Sequence, residues 1–200
     1  MAVGAEAAGL RRNDARKRVN ERSRVSAELA REVADKAERK IVVAGSVGPT
    51  GEIMEPVGTL THALAVEMFH EQAEGLKAGG ADVLWLETIS VPEEYKAAAE
   101  AFALADMPWC GTMSFDTAGR TMMGVTSEAM VAMVEKLPNP PIAYGANWGV
   151  GASDLLRTVL GFTAPGGERP WLPKGNAAVP QHPHPGAHTR TAPTPPRPPP

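Results

Sequence analysis

Ile142-Ala143-Tyr144-Gly145-Ala146-Asn147-Trp148-Gly149-Val150-Gly151 is the stretch that decides the fold class. Its first half is apolar and short, the pattern of a buried strand over 142–146. Its second half is a glycine-rich turn that feeds a helix over 154–162, capped by Ser153. Asn147 follows the strand, where α/β folds place their chemistry. The amide offers both a donor and an acceptor, and it also tolerates a left-handed turn.

The same alternation extends outward in both directions. Upstream, 41–44 reads as a strand and 45–58 as a loop. Thr59 or Thr61 then caps a helix with Leu64, Met68, Phe69, Ala73 and Leu76 on one face, and Gly79-Gly80 ends it. A second strand covers 83–86, and Pro92 opens a helix that runs to 105. A third strand covers 109–115. Ser127 caps a helix that ends near Leu137, and Asn139-Pro140 breaks the chain. Downstream, 171–174 starts a fifth strand. Strand starts near 41, 82, 109 and 141 are roughly 30 residues apart, which implies parallel strands with right-handed helical crossovers. Two architectures fit that spacing: an open doubly wound sheet, or part of an eight-fold barrel. A complete barrel takes about 250 residues, so a 200-residue chain would be an incomplete one.

Ahead of the repeat, 13–39 has helical periodicity, with Val25, Leu29, Val33 and Ala37 at four-residue steps. Residues 1–12 carry no pattern. Residues 1–40 hold eleven Lys/Arg against seven Asp/Glu, whereas 41–164 hold five against fifteen. The acidic repeat argues against a nucleic-acid partner, and the basic start reads as a solvated helix face. No apolar run approaches a membrane span, and the N-terminus has no secretory apolar core, so a cytoplasmic location is expected. The single cysteine, Cys110, excludes an internal disulfide framework. It stands at the start of its strand, away from the catalytic end, as a small core residue.

Twelve of the nineteen prolines lie after Ala164, and beyond Val179 there is no Val, Ile, Leu, Met, Phe, Trp or Tyr. Residues 179–200 therefore read as a disordered tail. His182, His184 and His188 are separated by proline with no cysteine nearby, a poor basis for a metal centre.

Four motifs are candidates for chemistry. Gly45-Ser46-Val47-Gly48-Pro49-Thr50-Gly51 lets backbone approach a ligand, but it lacks the Lys-Ser/Thr of a phosphate loop. Glu87 ends the second strand, where a carboxylate could hold a ligand ammonium or bridge to a neighbouring cation. Thr112 and Ser114 alternate with Met113 and Phe115, the pattern of a half-buried strand with one polar face. The turn 149–154 offers free backbone N–H groups to an anion, and it alone favours a nucleotide-binding α/β protein; it lacks the third glycine of a dinucleotide fingerprint.

Four runs together carry a resemblance: Val43-Ala44-Gly45-Ser46-Val47-Gly48-Pro49-Thr50-Gly51, Gly80-Ala81-Asp82-Val83-Leu84-Trp85-Leu86-Glu87-Thr88, Gly145-Ala146-Asn147 and Lys174-Gly175-Asn176-Ala177. In this order and spacing, over about 27–178, the chain resembles the zinc-dependent homocysteine S-methyltransferases. The resemblance implies an α/β partial TIM barrel, with strands three to seven present in an incomplete homocysteine-binding domain over 13–178. It implies methyl transfer from a donor such as betaine to homocysteine, giving methionine. It also implies that Glu87 binds the homocysteine ammonium and that Asn147 shapes the pocket beside the zinc. The chain departs from the family where metal is held. The family's first zinc cysteine is Trp148 here, and indole is a donor only. The Pro/His tail begins before any Gly-Gly-Cys-Cys run supplies the other two. The family's Asp-Gly-Gly segment on strand one is also absent. The expectation is small-molecule substrates, no zinc bound by this chain and impaired methyl transfer; the alternative is a non-catalytic barrel fragment that binds a ligand or partner.

Overall fold

The computed structural model describes residues 12–116, 118–148, 152–163 and 169–175. The segments read above as a patternless start (1–11 of it), the 149–151 glycine turn and the proline-rich tail lie outside the described residues. Ten elements alternate: α1 (Arg12–Asp35), β1 (Ala44–Val47), α2 (His62–Ala78), β2 (Val83–Ile89), α3 (Pro92–Leu104), β3 (Trp109–Ser114), α4 (Ser127–Val134), β4 (Ala143–Trp148), α5 (Ala152–Thr163) and β5 (Trp171–Gly175). No helix among them is long and apolar enough to cross a membrane.

The strand order separates the two architectures. All four strand pairs are parallel, and the sheet runs β1-β2-β3-β4-β5. A doubly wound sheet reverses its order at a switch point, whereas a barrel adds each strand beside the last. Sequential order with crossovers of one hand puts every connecting helix on the same face. The described sheet is a barrel-type wall with β1 and β5 at its edges.

Side chains alternate between two faces. Leu84, Leu86, Trp109, Met113, Tyr144 and Ala146 point outward and share a core with Phe69, Leu76, Phe102, Met130 and Phe162 of the helices. Two aromatic clusters, tilted or edge-to-face, anchor that layer. Trp109 meets Tyr95 and Phe102 at 5.4 Å, and Phe162 meets Phe115 at 5.9 Å and Tyr144 at 5.8 Å. Such pairs each add about 0.5–1.5 kcal/mol beyond area burial. The opposite, inner face carries Val83, Cys110 and Ala143, with Trp85 and Leu172 packed against them. Cys110 is buried where the sequence places it, and burial pushes its thiol pKa up.

Several boundaries differ from the sequence reading, each for a physical reason. The first strand begins at Ala44 and not at Ile41. Ahead of it the ladder is started by a side chain: Asp82 Oδ2 accepts from Val43 N at 2.7 Å and from Arg31 Nη1 at 2.8 Å. Of the two candidate caps for α2, Thr61 is the one used, its hydroxyl accepting from Leu64 N. Thr126, not Ser127, caps α4 by accepting from Ala129 N. β4 continues through Asn147 and Trp148, because both pair with β5. β3 is buried along its whole length rather than half-buried.

The largest correction concerns α1. Val25, Leu29 and Val33 are 39%, 60% and 71% exposed. Its buried face is instead Ser23, Ala27 and Ala34. Small residues are required there because α2 presents Gly75 and Gly79. A Cβ on Gly75 would lie 2.4 Å from Asn20 O, and one on Gly79 would lie 2.2 Å from Arg24 O. Two backbones therefore pack almost in contact. The charged residues of α1 form ion pairs on its outer face, Arg24 with Glu21 and Glu28, and Lys36 with Glu32.

Gly79→Ala should lower stability by about 1–3 kcal/mol through overpacking, while Val33→Ala should change it by less than about 0.5 kcal/mol, both read by urea unfolding. Asp82 has its pKa lowered, chiefly by the Val43 N–H, which outweighs desolvation, with smaller help from Arg31. A depressed folded-state pKa gives stability that is present above the ordinary aspartate range and is lost as pH falls through the folded value. Thermal melts from neutral to acidic pH should show that loss, and Asp82→Asn should reduce it.

Candidate functional site

At the C-terminal ends of the strands the inner face changes from apolar to polar. The register aligns Ser46 with Trp85, Thr112 with Gly145, Ser114 with Asn147, and Asn147 with Lys174. Period-two alternation adds Glu87, two residues beyond Trp85. This end is where barrel folds build ligand sites.

Glu87 and Asn147, the two residues singled out in the sequence, are brought together there through one intermediate residue. β2 carries one extra residue between Leu86 and Ile89, opposite Gly111 to Met113 of β3. Within this bulge Thr88 has φ 68°. A β-branched residue in the left-handed region is strained and needs outside support. The Asn147 side chain supplies it. Its Oδ1 accepts from Thr88 N at 3.1 Å and from Thr112 Oγ1 at 2.8 Å, and its Nδ2 donates to Thr88 Oγ1 at 3.2 Å. Asn147 is 3% exposed, so its amide is a buried clasp across β2, β3 and β4.

Glu87 comes off the bulge into a cavity of 240 Å³ shared with Ser46, Gln72, Trp85, Lys174 and the α1 residue Arg22. Its side chain is only 12% exposed. Ser46 Oγ donates to Glu87 Oε1 at 2.6 Å, and Lys174 Nζ pairs with Oε2. Nζ also lies 5.9 Å from the centre of the Trp85 ring. The carboxylate thus already holds a primary ammonium, with an aromatic face beside it. Two further polar atoms on this face, Ser114 Oγ and Trp85 Nε1, are buried without a hydrogen-bond partner among the described residues.

The glycine-rich run 45–51 is anchored by a residue that sequence reasoning missed. Glu94, in the first turn of α3, is 5% exposed. Its Oε1 accepts from Thr50 N at 2.7 Å and from Thr50 Oγ1 at 2.6 Å. The run is thereby tied to α3. Lys174, Ser46 and Trp85 were also missed as members of one cluster. Each lies in a run quoted for the resemblance, but nothing in sequence spacing brings the Lys174 side chain on β5 to Glu87 on β2.

A barrel-type α/β wall with a buried carboxylate, an amide clasp and paired charges at its C-terminal mouth defines a small-molecule-binding protein of the TIM class. The homocysteine S-methyltransferase family model matches residues 4–195, and the chain belongs to that family. Its fold is similar to crystal structures of the homocysteine methyltransferase MmuM from Escherichia coli. The apo form matches at 19% identity and TM-score 0.57, over 86% of this chain and 73% of that one. The metallated form gives 19% and 0.57, over 86% and 70%. The oxidized form gives 20% and 0.55, over 88% and 72%.

The residues described do not fit the zinc that the resemblance implies. That site takes three thiolates. The only cysteine in the chain, Cys110, pairs with Trp85 and Ala143 deep on the inner face, below the Asn147 clasp. The resemblance implies that Trp148 stands where the family has its first zinc cysteine. The groups that converge at the mouth are a carboxylate tied to a cation, hydroxyls and an amide, and no three His, Cys, Asp or Glu gather into a metal-binding group among the described residues.

Asn147→Ala should cost about 1–3 kcal/mol, because the part-buried Thr88 N–H and the buried Thr112 hydroxyl lose their acceptor. Thr112→Val should cost about 1 kcal/mol, because one bond is lost while the clasp remains. Urea unfolding of both variants measures the difference.

Proposed function

We propose that this chain binds homocysteine at the mouth of the wall, and that methyl transfer to its sulfur, from betaine or a similar donor, is impaired. The observation that carries the reading is Glu87: a carboxylate 12% exposed, at a strand end, already coordinating an ammonium. Such a group is built to accept charge-assisted hydrogen bonds from a ligand amine. Family membership supplies the ligand class, an α-amino acid thiol.

In this reading each residue has one task. Glu87 takes the substrate ammonium, and Ser46 orients the carboxylate by its bond to Oε1. Asn147 acts at one remove. It fixes the Thr88 bulge from which Glu87 projects, and it shapes the pocket wall beside it. Ser114 Oγ and Trp85 Nε1 offer donors that no described residue uses. The binding domain spans 13–178.

Methyl transfer breaks a bond between the methyl carbon and the donor heteroatom and forms one to sulfur. It needs the homocysteine sulfur as thiolate, and a free thiol has a pKa near 8.5. With Trp148 at the ligand position, the chain has no described group to hold a thiolate-stabilising metal. The product of descent is then a site that recognises the amino-acid end of the substrate and leaves its sulfur largely protonated. The same observation favours a second reading, a non-catalytic ligand-binding barrel fragment.

Homocysteine titrated into the purified protein by calorimetry should give saturable binding, and Glu87→Gln should weaken it by about tenfold or more. With zinc and betaine added, no methionine should accumulate. Methionine formed in proportion to bound zinc would overturn the impairment, and unchanged binding by Glu87→Gln would overturn the role of Glu87.

A further inference from the structure

Lys174 occupies the position that the proposed function gives to the substrate ammonium. Its Nζ pairs with Glu87 Oε2, while its side chain is 52% exposed at the mouth of the cavity. The carboxylate is therefore neutralised before any ligand arrives. A ligand amine can reach Glu87 only by displacing an ammonium of the same charge. By itself that exchange gains little, because one charge-assisted pair replaces another. The exchange becomes favourable if the displaced lysine finds a new anion.

We propose that Lys174 is a specificity-determining residue: it yields Glu87 to the ligand ammonium and takes the ligand carboxylate, so that the site selects α-amino acids over simple amines. The inference rests on the homocysteine reading and adds to it the recognition of the other end of the molecule. Three features favour Lys174 for this role. It stands on β5, an edge strand, on the inner face, with β3 and β4 between it and Glu87 on β2, and directly beside Asn147 in the register. Its long flexible stem lets Nζ move while its backbone stays in the ladder. The Trp85 ring, 5.9 Å from Nζ, keeps an attractive surface for the cation once the carboxylate is taken. The α1 residue Arg22 lines the same cavity and is the competing cation for a carboxylate.

Three thiols separate the contributions: homocysteine, 3-aminopropane-1-thiol, which lacks the carboxylate, and 4-sulfanylbutanoate, which lacks the ammonium. Their affinities are measured by calorimetry under reducing conditions on the wild-type chain and on Lys174→Met, Lys174→Arg and Arg22→Met. Wild type should prefer homocysteine to 3-aminopropane-1-thiol by about tenfold or more, the scale of one charge-assisted bond. Lys174→Met should erase that preference in both directions, weakening homocysteine and tightening the amine that no longer has a competitor. Lys174→Arg should keep part of the preference, and Arg22→Met should leave it intact. Thermal melts confirm that the variants are folded; should Lys174→Met not fold, Lys174→Arg and Arg22→Met decide. A preference unchanged in Lys174→Met, or unchanged in Lys174→Arg and lost in Arg22→Met, overturns the role of Lys174 while leaving the homocysteine reading in place. Wild-type protein that binds none of the three thiols overturns both.

Discussion

The buried amide of Asn147 is the constraint on which the mouth depends. Its three bonds reach β3 and, beyond it, β2, and two of them hold Thr88 in a conformation that a threonine does not choose for itself. A left-handed β-branched residue costs on the order of 1–3 kcal/mol. The clasp offsets that cost, and the resulting bulge re-aims the strand end, as bulges beside functional sites do. Glu87 enters the cavity because residue 88 is held. A backbone irregularity on β2 is thus maintained by a side chain from β4.

Around that clasp the fold divides its labour between the two faces of one sheet. The outer face is dry and aromatic, and it fixes the helices through Trp109 and Phe162. The inner face is apolar at the bottom and charged at the top. The gradient follows from parallel pairing: all strands end at one side, so their last inward residues meet. Ser46, Glu87, Asn147 and Lys174 come from four strands and converge without any of them being close in sequence.

Much of this was legible beforehand. The β/α period, Pro92 at the start of α3, Gly79-Gly80 at the end of α2 and the position of Glu87 all followed from local chemistry. What was not legible depends on long-range contact. The Val25, Leu29 and Val33 stripe looked like the packing face of α1, because periodicity reports apolar residues and not which side a neighbour approaches. Gly75 and Gly79 admit a closer approach to a face of small residues, and close backbone packing won. Ile41 to Val43 looked like a strand because they are apolar, but Asp82 takes the Val43 N–H. Asn147 looked like a turn residue, yet β5 pairs with it and keeps it in the ladder. The Glu87–Lys174 pair spans 87 positions, so no window of sequence contains it.

The burial of Cys110 has a chemical consequence of its own. Thiol–disulfide exchange requires an accessible thiolate. The only sulfhydryl in this chain is 7% exposed and has its ionisation suppressed by burial. Oxidised small thiols trap reactive cysteines as mixed adducts. Here that trap is closed: an oxidised thiol meets no exposed sulfhydryl of this chain, and Cys110 stands outside the lining of the cavity.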